Sequence, residues 1–138
     1  MRYPVVCFDV GFTLVDERID AHTLLTEVLA ELGHSADPEA LKEARRATMQ
    51  WYHARYHRLD NDDWSSDATI RTMWLDFYEH LFTRLDPTLD HNQLADRLIA
   101  HYEDPQNWQP YADVFPTLEG LRERGIRIGI VSDWSQRL

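Results

Sequence analysis

Two short apolar runs flank a long stretch of helical periodicity. Tyr3-Pro4-Val5-Val6-Cys7-Phe8 is continuous and ends at Asp9, the pattern of a strand covered on both faces, with Cys7 as a small buried apolar residue. Ile126-Arg127-Ile128-Gly129-Ile130-Val131 is a second such run, and it ends at Ser132. Before it, Val114, Leu118 and Leu121 share one face of a helix over 115–124, with Gly125 placed for a left-handed C-terminal residue. Strand, crossover with helix, strand predicts a parallel pair. The fold class is α/β.

The stretch between the runs, about Asp16 to Asp104, reads as all-helical. Ala21, Leu24, Leu25, Val28, Leu29 and Leu32 recur at helical spacing and stop at Gly33. Asp37-Pro38-Glu39 opens a second helix with a side-chain acceptor, a proline at the first helical position and an acid in the first turn. Ile70, Met73, Trp74, Phe77, Leu81 and Leu85 form the stripe of a third. Asp90 with Gln93 resembles a capping box opening a fourth, with Leu94, Leu98, Ile99 and Tyr102 inward. Arg58-Leu59-Asp60-Asn61-Asp62-Asp63 reads as an exposed loop, and Asp86-Pro87 as a turn.

Composition bounds the partners. The chain has 138 residues, 43% of them hydrophobic, which suits one domain or a small domain carrying an insertion. No run approaches the ~18 apolar residues of a membrane span, and the N-terminus lacks the pattern of a secretory signal. Cys7 is the single cysteine and fits a reducing compartment. The expectation is a soluble cytoplasmic protein with no membrane partner. A formal charge of −10 disfavours nucleic acid, whose phosphates it repels. Lys42 is the single lysine, so a mechanism needing one has a single candidate. No oligomeric state follows from the pattern.

Chemistry enters at Phe8-Asp9-Val10-Gly11-Phe12-Thr13-Leu14-Val15-Asp16. A carboxylate at the C-terminal end of a parallel strand lies where open α/β sheets bind ligands. Gly11 allows close backbone approach, and the Thr13 hydroxyl and N–H can donate. An aspartate presented this way can attack an electrophile such as phosphorus; it would equally cap the next turn. Ser132 also follows a strand. If the two strands are neighbours, its hydroxyl shares a crevice with Asp9 and can hold a phosphoryl oxygen, and it would also cap a following helix.

The segment from Asp9 to Asp16 resembles the first motif of the haloacid dehalogenase superfamily, an apolar strand followed by Asp-x-Asp-x-Thr. Gly125 to Trp134 is similar to its second motif, an apolar strand ending in Ser or Thr. Trp108, Pro110, Tyr111, Asp113, Val114, Pro116 and Leu118 resemble the stretch that returns from cap to core. The resemblance covers the whole chain in order. It implies a Rossmann-like parallel core, residues 1–15 with 105–138, of which the first two strands are present, and an inserted helical cap, residues 16–104. Asp9 would be the nucleophile and a ligand of Mg²⁺, with the backbone carbonyl of Gly11 as a second ligand. Gly11, Phe12, Thr13 and Ser132 would hold the transferring group, and Asp16 would lie at the hinge to the cap. The implied activity is transfer from a small phosphorylated metabolite, an anionic partner, through an aspartyl intermediate. The rivals are metal-free cleavage of a 2-haloacid by the same carboxylate, and a non-catalytic binding or assembly protein.

Two departures from the family pattern matter. Phosphatases of the family carry a second aspartate where this chain has Gly11, and a general acid/base contributes about 10²–10⁴ in rate. Family dehalogenases usually have an aromatic there, which Gly11 also fails to match. The family's Lys and distal acids follow the second motif, whereas six residues follow Ser132 here. Two strands do not make a stable sheet alone. The expectation is therefore a chain that continues in its parent protein, or one whose sheet is completed by dimerisation.

The remaining candidates have plainer readings. His53 and His57 have a metal-ligand spacing, but no Glu follows His53, and Arg55 and Arg58 would repel a cation. Arg45, Arg46, Arg55 and Arg71 could reach an anionic substrate, or lie solvated on the surface. Asp76, Glu79 and Asp96 read as ordinary exposed acids, and the aromatics from Trp51 to Phe82 as cap core.

Overall fold

In chain order, the computed structural model, which describes residues 5–132, has strands β1 (Val5–Phe8) and β2 (Val15–Glu17) and helices α1 (Ala21–Glu31), α2 (Pro38–Tyr56), α3 (Asp67–Leu85) and α4 (His91–Tyr102). A 3₁₀ turn (Pro105–Asn107), β3 (Trp108–Pro110), α5 (Val114–Glu123) and β4 (Arg127–Ile130) follow. Tyr3 and Pro4 of the first predicted strand, and Asp133 and Trp134 of the second motif, lie outside the described residues. The described residues group into two compact units, one of residues 5–19 and 104–132, the other Asp20–Glu103.

In the first unit β1 and β4 pair in parallel, Val5 opposite Arg127 and Phe8 opposite Ile130. The connection spans the whole of the second unit, as a parallel pair requires. β2 and β3 pair antiparallel, Val15 with Pro110 and Glu17 with Trp108, where the sequence pattern predicts only helix from Asp16 on. Strands of three residues are too short for an alternation to register. Arg18 extends the link across the same pair: its N–H donates to the Asn107 carbonyl at 2.9 Å and its Nε to that of Gln106 at 2.8 Å.

The parallel pair is less covered than its continuous apolar runs predict. Cys7 is exposed rather than buried, and Ile130 and Val131 are 56% and 68% exposed. Besides β1, α5 packs against β4, and much of the apolar surface of the two strands stays open. Gly129 lies against Cys7; a Cβ there would come within 3.2 Å of the Cys7 sulfur.

The second unit is helical and well packed. α3 packs on both α2 and α4, and α1 packs on α4. Leu24, Leu25, Val28 and Leu29 of α1, Leu41 and Ala44 of α2, Met73, Leu81 and Phe82 of α3, and Leu94, Leu98 and Ile99 of α4 form its core. Each of these side chains larger than alanine contributes roughly 1.5–3 kcal/mol on burial. The helix starts follow capping chemistry. Asp20, Asp37 and Asp90 accept backbone N–H groups of α1, α2 and α4. Ser66 and Thr69 form a reciprocal capping box at α3, four residues before the apolar stripe makes itself felt at Ile70. Gly33 and Gly125 have the positive φ expected after α1 and α5.

The exposed-loop reading fails at Asp63, which is only 8% exposed. Arg55 Nε and Nη2 each donate to its carboxylate at 2.6 Å, and Nη1 donates to Asp76 at 2.6 Å. The guanidinium also lies over the Trp51 ring, 5.4 Å from its centroid. Arg55 is thus not solvated surface, and Asp76, though 41% exposed, is held in an ion pair; together they fasten the α2–α3 connection to both helices. A bidentate carboxylate partner explains why the Arg55 pKa is raised, with Asp76 adding to the effect against the cost of burial.

Candidate active site

β1 delivers Asp9, exposed, just past Phe8 at the C-terminal end of the parallel pair. The backbone then closes tightly. The Val10 carbonyl accepts from the N–H groups of Thr13 at 3.2 Å, Leu14 at 2.8 Å and Val15 at 3.2 Å, and the Phe12 N–H donates to the Val15 carbonyl at 2.8 Å. Gly11 is buried in this loop, while Thr13 is exposed. Phe12 has φ of +56°, the left-handed region, and its side chain is 60% exposed. That conformation disfavours any side chain with a Cβ by about 1–2 kcal/mol.

β4 brings the second element of the site. The Val131 N–H donates to the Phe8 carbonyl at 2.9 Å, which carries the parallel ladder one residue past β4. Asp9 and Ser132 therefore follow the ends of neighbouring strands. The Ser132 Oγ is buried and has no hydrogen-bond partner among the described residues. A buried hydroxyl left unpaired costs on the order of 1–3 kcal/mol. An oxygen of a bound ligand would remove that cost.

Oxygen donors are what this loop offers a cation. The loop's own hydrogen bonds run to the carbonyls of Val10 and Val15 and leave that of Gly11 aside, next to the Asp9 carboxylate in sequence. Hard oxygens suit Mg²⁺ in kind, though Mg²⁺ takes about six of them. Among the described residues there is no group of three or more His, Cys, Asp or Glu that could hold a metal ion.

The other predicted candidates lie elsewhere. His53 and His57 stack at 6.5 Å between ring centroids on α2. Arg46 is tied to Glu43 at 2.7 Å, and Arg71 to Asp96 at 2.6 Å. No helix among the described residues is long and apolar enough to cross a membrane.

The chain is 33% identical over 96 residues to the mouse (Mus musculus) protein called haloacid dehalogenase-like hydrolase domain-containing protein 3, covering 67% of this chain and 38% of the relative. Its Homo sapiens counterpart is 30% identical over 109 residues, covering 77% and 42%. The chain belongs to the haloacid dehalogenase superfamily. The Danio rerio protein of the same name is 26% identical over 143 residues, covering 100% of this chain and 57% of the relative. The chain thus spans 38–57% of the length of these three relatives. No protein-family model matches it.

One contact of this haloacid dehalogenase superfamily chain went unread in its sequence. The Tyr111 side chain lies near the charge of Asp16, the residue expected at the hinge. Loss of hydration and then the Asp16 charge raise the tyrosine pKa above the usual phenol range. The Tyr111 N–H also donates to the Leu14 carbonyl at 3.1 Å. Tyr111 stood within the stretch resembling the cap-to-core return, but nothing in its spacing named Asp16 as partner.

Proposed function

We propose that the protein carrying this chain is a hydrolase of small anionic substrates, of the phosphatase type, acting through Asp9. The observation that carries the reading is the pairing of β1 with β4, which puts at adjacent strand ends a carboxylate and a buried hydroxyl without a partner among the described residues. An Asp9 oxygen attacks phosphorus, the bond to the leaving oxygen breaks, and an aspartyl phosphate forms; water then cleaves it to regenerate the carboxylate. Ser132 donates to a phosphoryl oxygen, as does the exposed hydroxyl of Thr13, whose N–H is already given to the Val10 carbonyl. Asp9 and the Gly11 carbonyl would hold Mg²⁺, which when bound offsets the charge of the phosphoryl group. Residues 16–104 would serve as the cap that excludes water in the first step.

Gly11 favours a second reading, because it has no proton to give a leaving alkoxide. Cleavage of a 2-haloacid needs no such proton, since halide leaves as the anion. The decisive assay incubates the protein, as its gene encodes it, with p-nitrophenyl phosphate and separately with 2-chloropropionate, each with Mg²⁺ or chelator. Phosphate release that stops with chelator and in Asp9→Asn supports the first reading. Halide release indifferent to chelator supports the second. If neither product forms and beryllium fluoride leaves no adduct on Asp9, both fall and a binding or assembly role stands.

A further inference from the structure

Phe12 is the one described non-glycine residue with positive φ, and its ring contact returns only part of that strain to the fold. The side chain is 60% exposed, and its ring contact is with Trp108, edge-on at 5.9 Å and 72°. Trp108 itself is buried on β3, so it fixes the Phe12 ring from one side and leaves the rest open. Glycine would close the same loop, with the same Phe12 N–H bond to Val15, at lower cost. A strained and exposed aromatic held three residues past Asp9 points to a ligand as the source of its value.

We infer that Phe12 is a specificity-determining residue, an apolar platform for the organic group of the substrate. The substrate class is then an anionic ester or acid bearing an aromatic or bulky apolar group, rather than a small polar metabolite. The assignment rests on the Asp9 site proposed above. An aromatic group meeting such a ring gains roughly 0.5–1.5 kcal/mol beyond its buried area. At the upper end of that range the preference for an aryl over a methyl ligand is about tenfold.

Binding tests this without turnover. Phenylphosphonate and methylphosphonate, neither of which is hydrolysed at its carbon–phosphorus bond by simple phosphoryl transfer, are titrated calorimetrically into the gene-encoded protein with Mg²⁺. The wild type is expected to prefer phenylphosphonate about tenfold, Phe12→Gly to bind the two within about twofold, and Phe12→Leu to fall between. Phe12→Gly relieves the backbone, and circular dichroism checks that each variant is folded. A wild type that binds the two equally, a preference unchanged in Phe12→Gly, or no binding of either ligand overturns the inference. Failure of the Asp9 reading shows differently: the preference persists and follows Phe12 while no phosphate is released from phenyl phosphate.

Discussion

The ring of Phe12 meets that of Trp108 edge-on, and this contact holds a left-handed residue in the loop after Asp9. Two effects of similar size oppose each other there. Left-handed φ costs a side chain about 1–2 kcal/mol, and the aromatic pair returns about 0.5–1.5. Phe12→Ala loses the ring and keeps the strain, whereas Phe12→Gly loses both. Chemical denaturation should find the glycine variant more stable than the alanine variant by roughly 1 kcal/mol. The reverse order would mean the loop does not hold this conformation in solution.

Ser132 separates stability from function. Its buried Oγ has no partner among the described residues, so Ser132→Ala removes an unsatisfied group and should leave stability unchanged or raise it slightly. The same change removes a donor to the transferring group and should lower turnover by roughly 10²-fold or more. A variant that loses about 1 kcal/mol or more while keeping its rate would assign the hydroxyl a structural role instead.

The elements were legible where a single period runs long. The apolar stripes of α1, α3 and α4 and the Asp37-Pro38 start of α2 announce themselves because burial repeats every three or four residues over whole turns. β2 and β3 were not legible, since three residues carry no period and their pairing joins positions 91 or more apart in sequence. The placement of the candidate site was legible, for Asp9 and Ser132 both end apolar runs and follow paired strands. Its strain was not: that Phe12 would take the left-handed conformation depends on the turn closed by Val10 and Val15 carbonyls. Likewise, Asp63 sits in a run of polar residues whose composition reads as loop. Its burial depends on Arg55 and on the Asn61 side chain, which accepts the Asp63 N–H at 2.8 Å.

Arg55 supplies the sharpest test of the helical unit. Its removal strands the buried Asp63 carboxylate and loosens Asp76, so Arg55→Ala should destabilise by roughly 2–4 kcal/mol, discounted from the fully buried case because both partners keep some exposure. Arg55→Lys should recover little, because one ammonium cannot reproduce the fork that spans both carboxylates. Urea melts followed by far-ultraviolet circular dichroism would read both. Full rescue by lysine would show that charge alone matters and the bidentate geometry does not.

His80 makes the stability of the helical unit depend on pH. Its Nδ1 lies 3.2 Å from the Oγ1 of the fully buried Thr48, its ring stacks on Trp51 at 4.9 Å, and Arg84 Nε donates to its Nε2 at 3.4 Å. Burial, and then the Arg84 charge, lower its pKa below the ordinary 6.5. With Nε2 accepting from Arg84, Nδ1 carries the proton and donates to Thr48, so the native ring is neutral. Below pH 6.5 the unfolded chain takes up a proton at this histidine while the folded chain resists it. The contribution is thus full above the unfolded value and is lost as pH falls toward the lowered folded value. Melting curves of wild type and His80→Gln should converge in slope above pH 6.5 and diverge below it, with the wild type losing stability more steeply. Identical slopes from pH 7 down to about 5 would show that the ring is hydrated and free to take its proton in the native state.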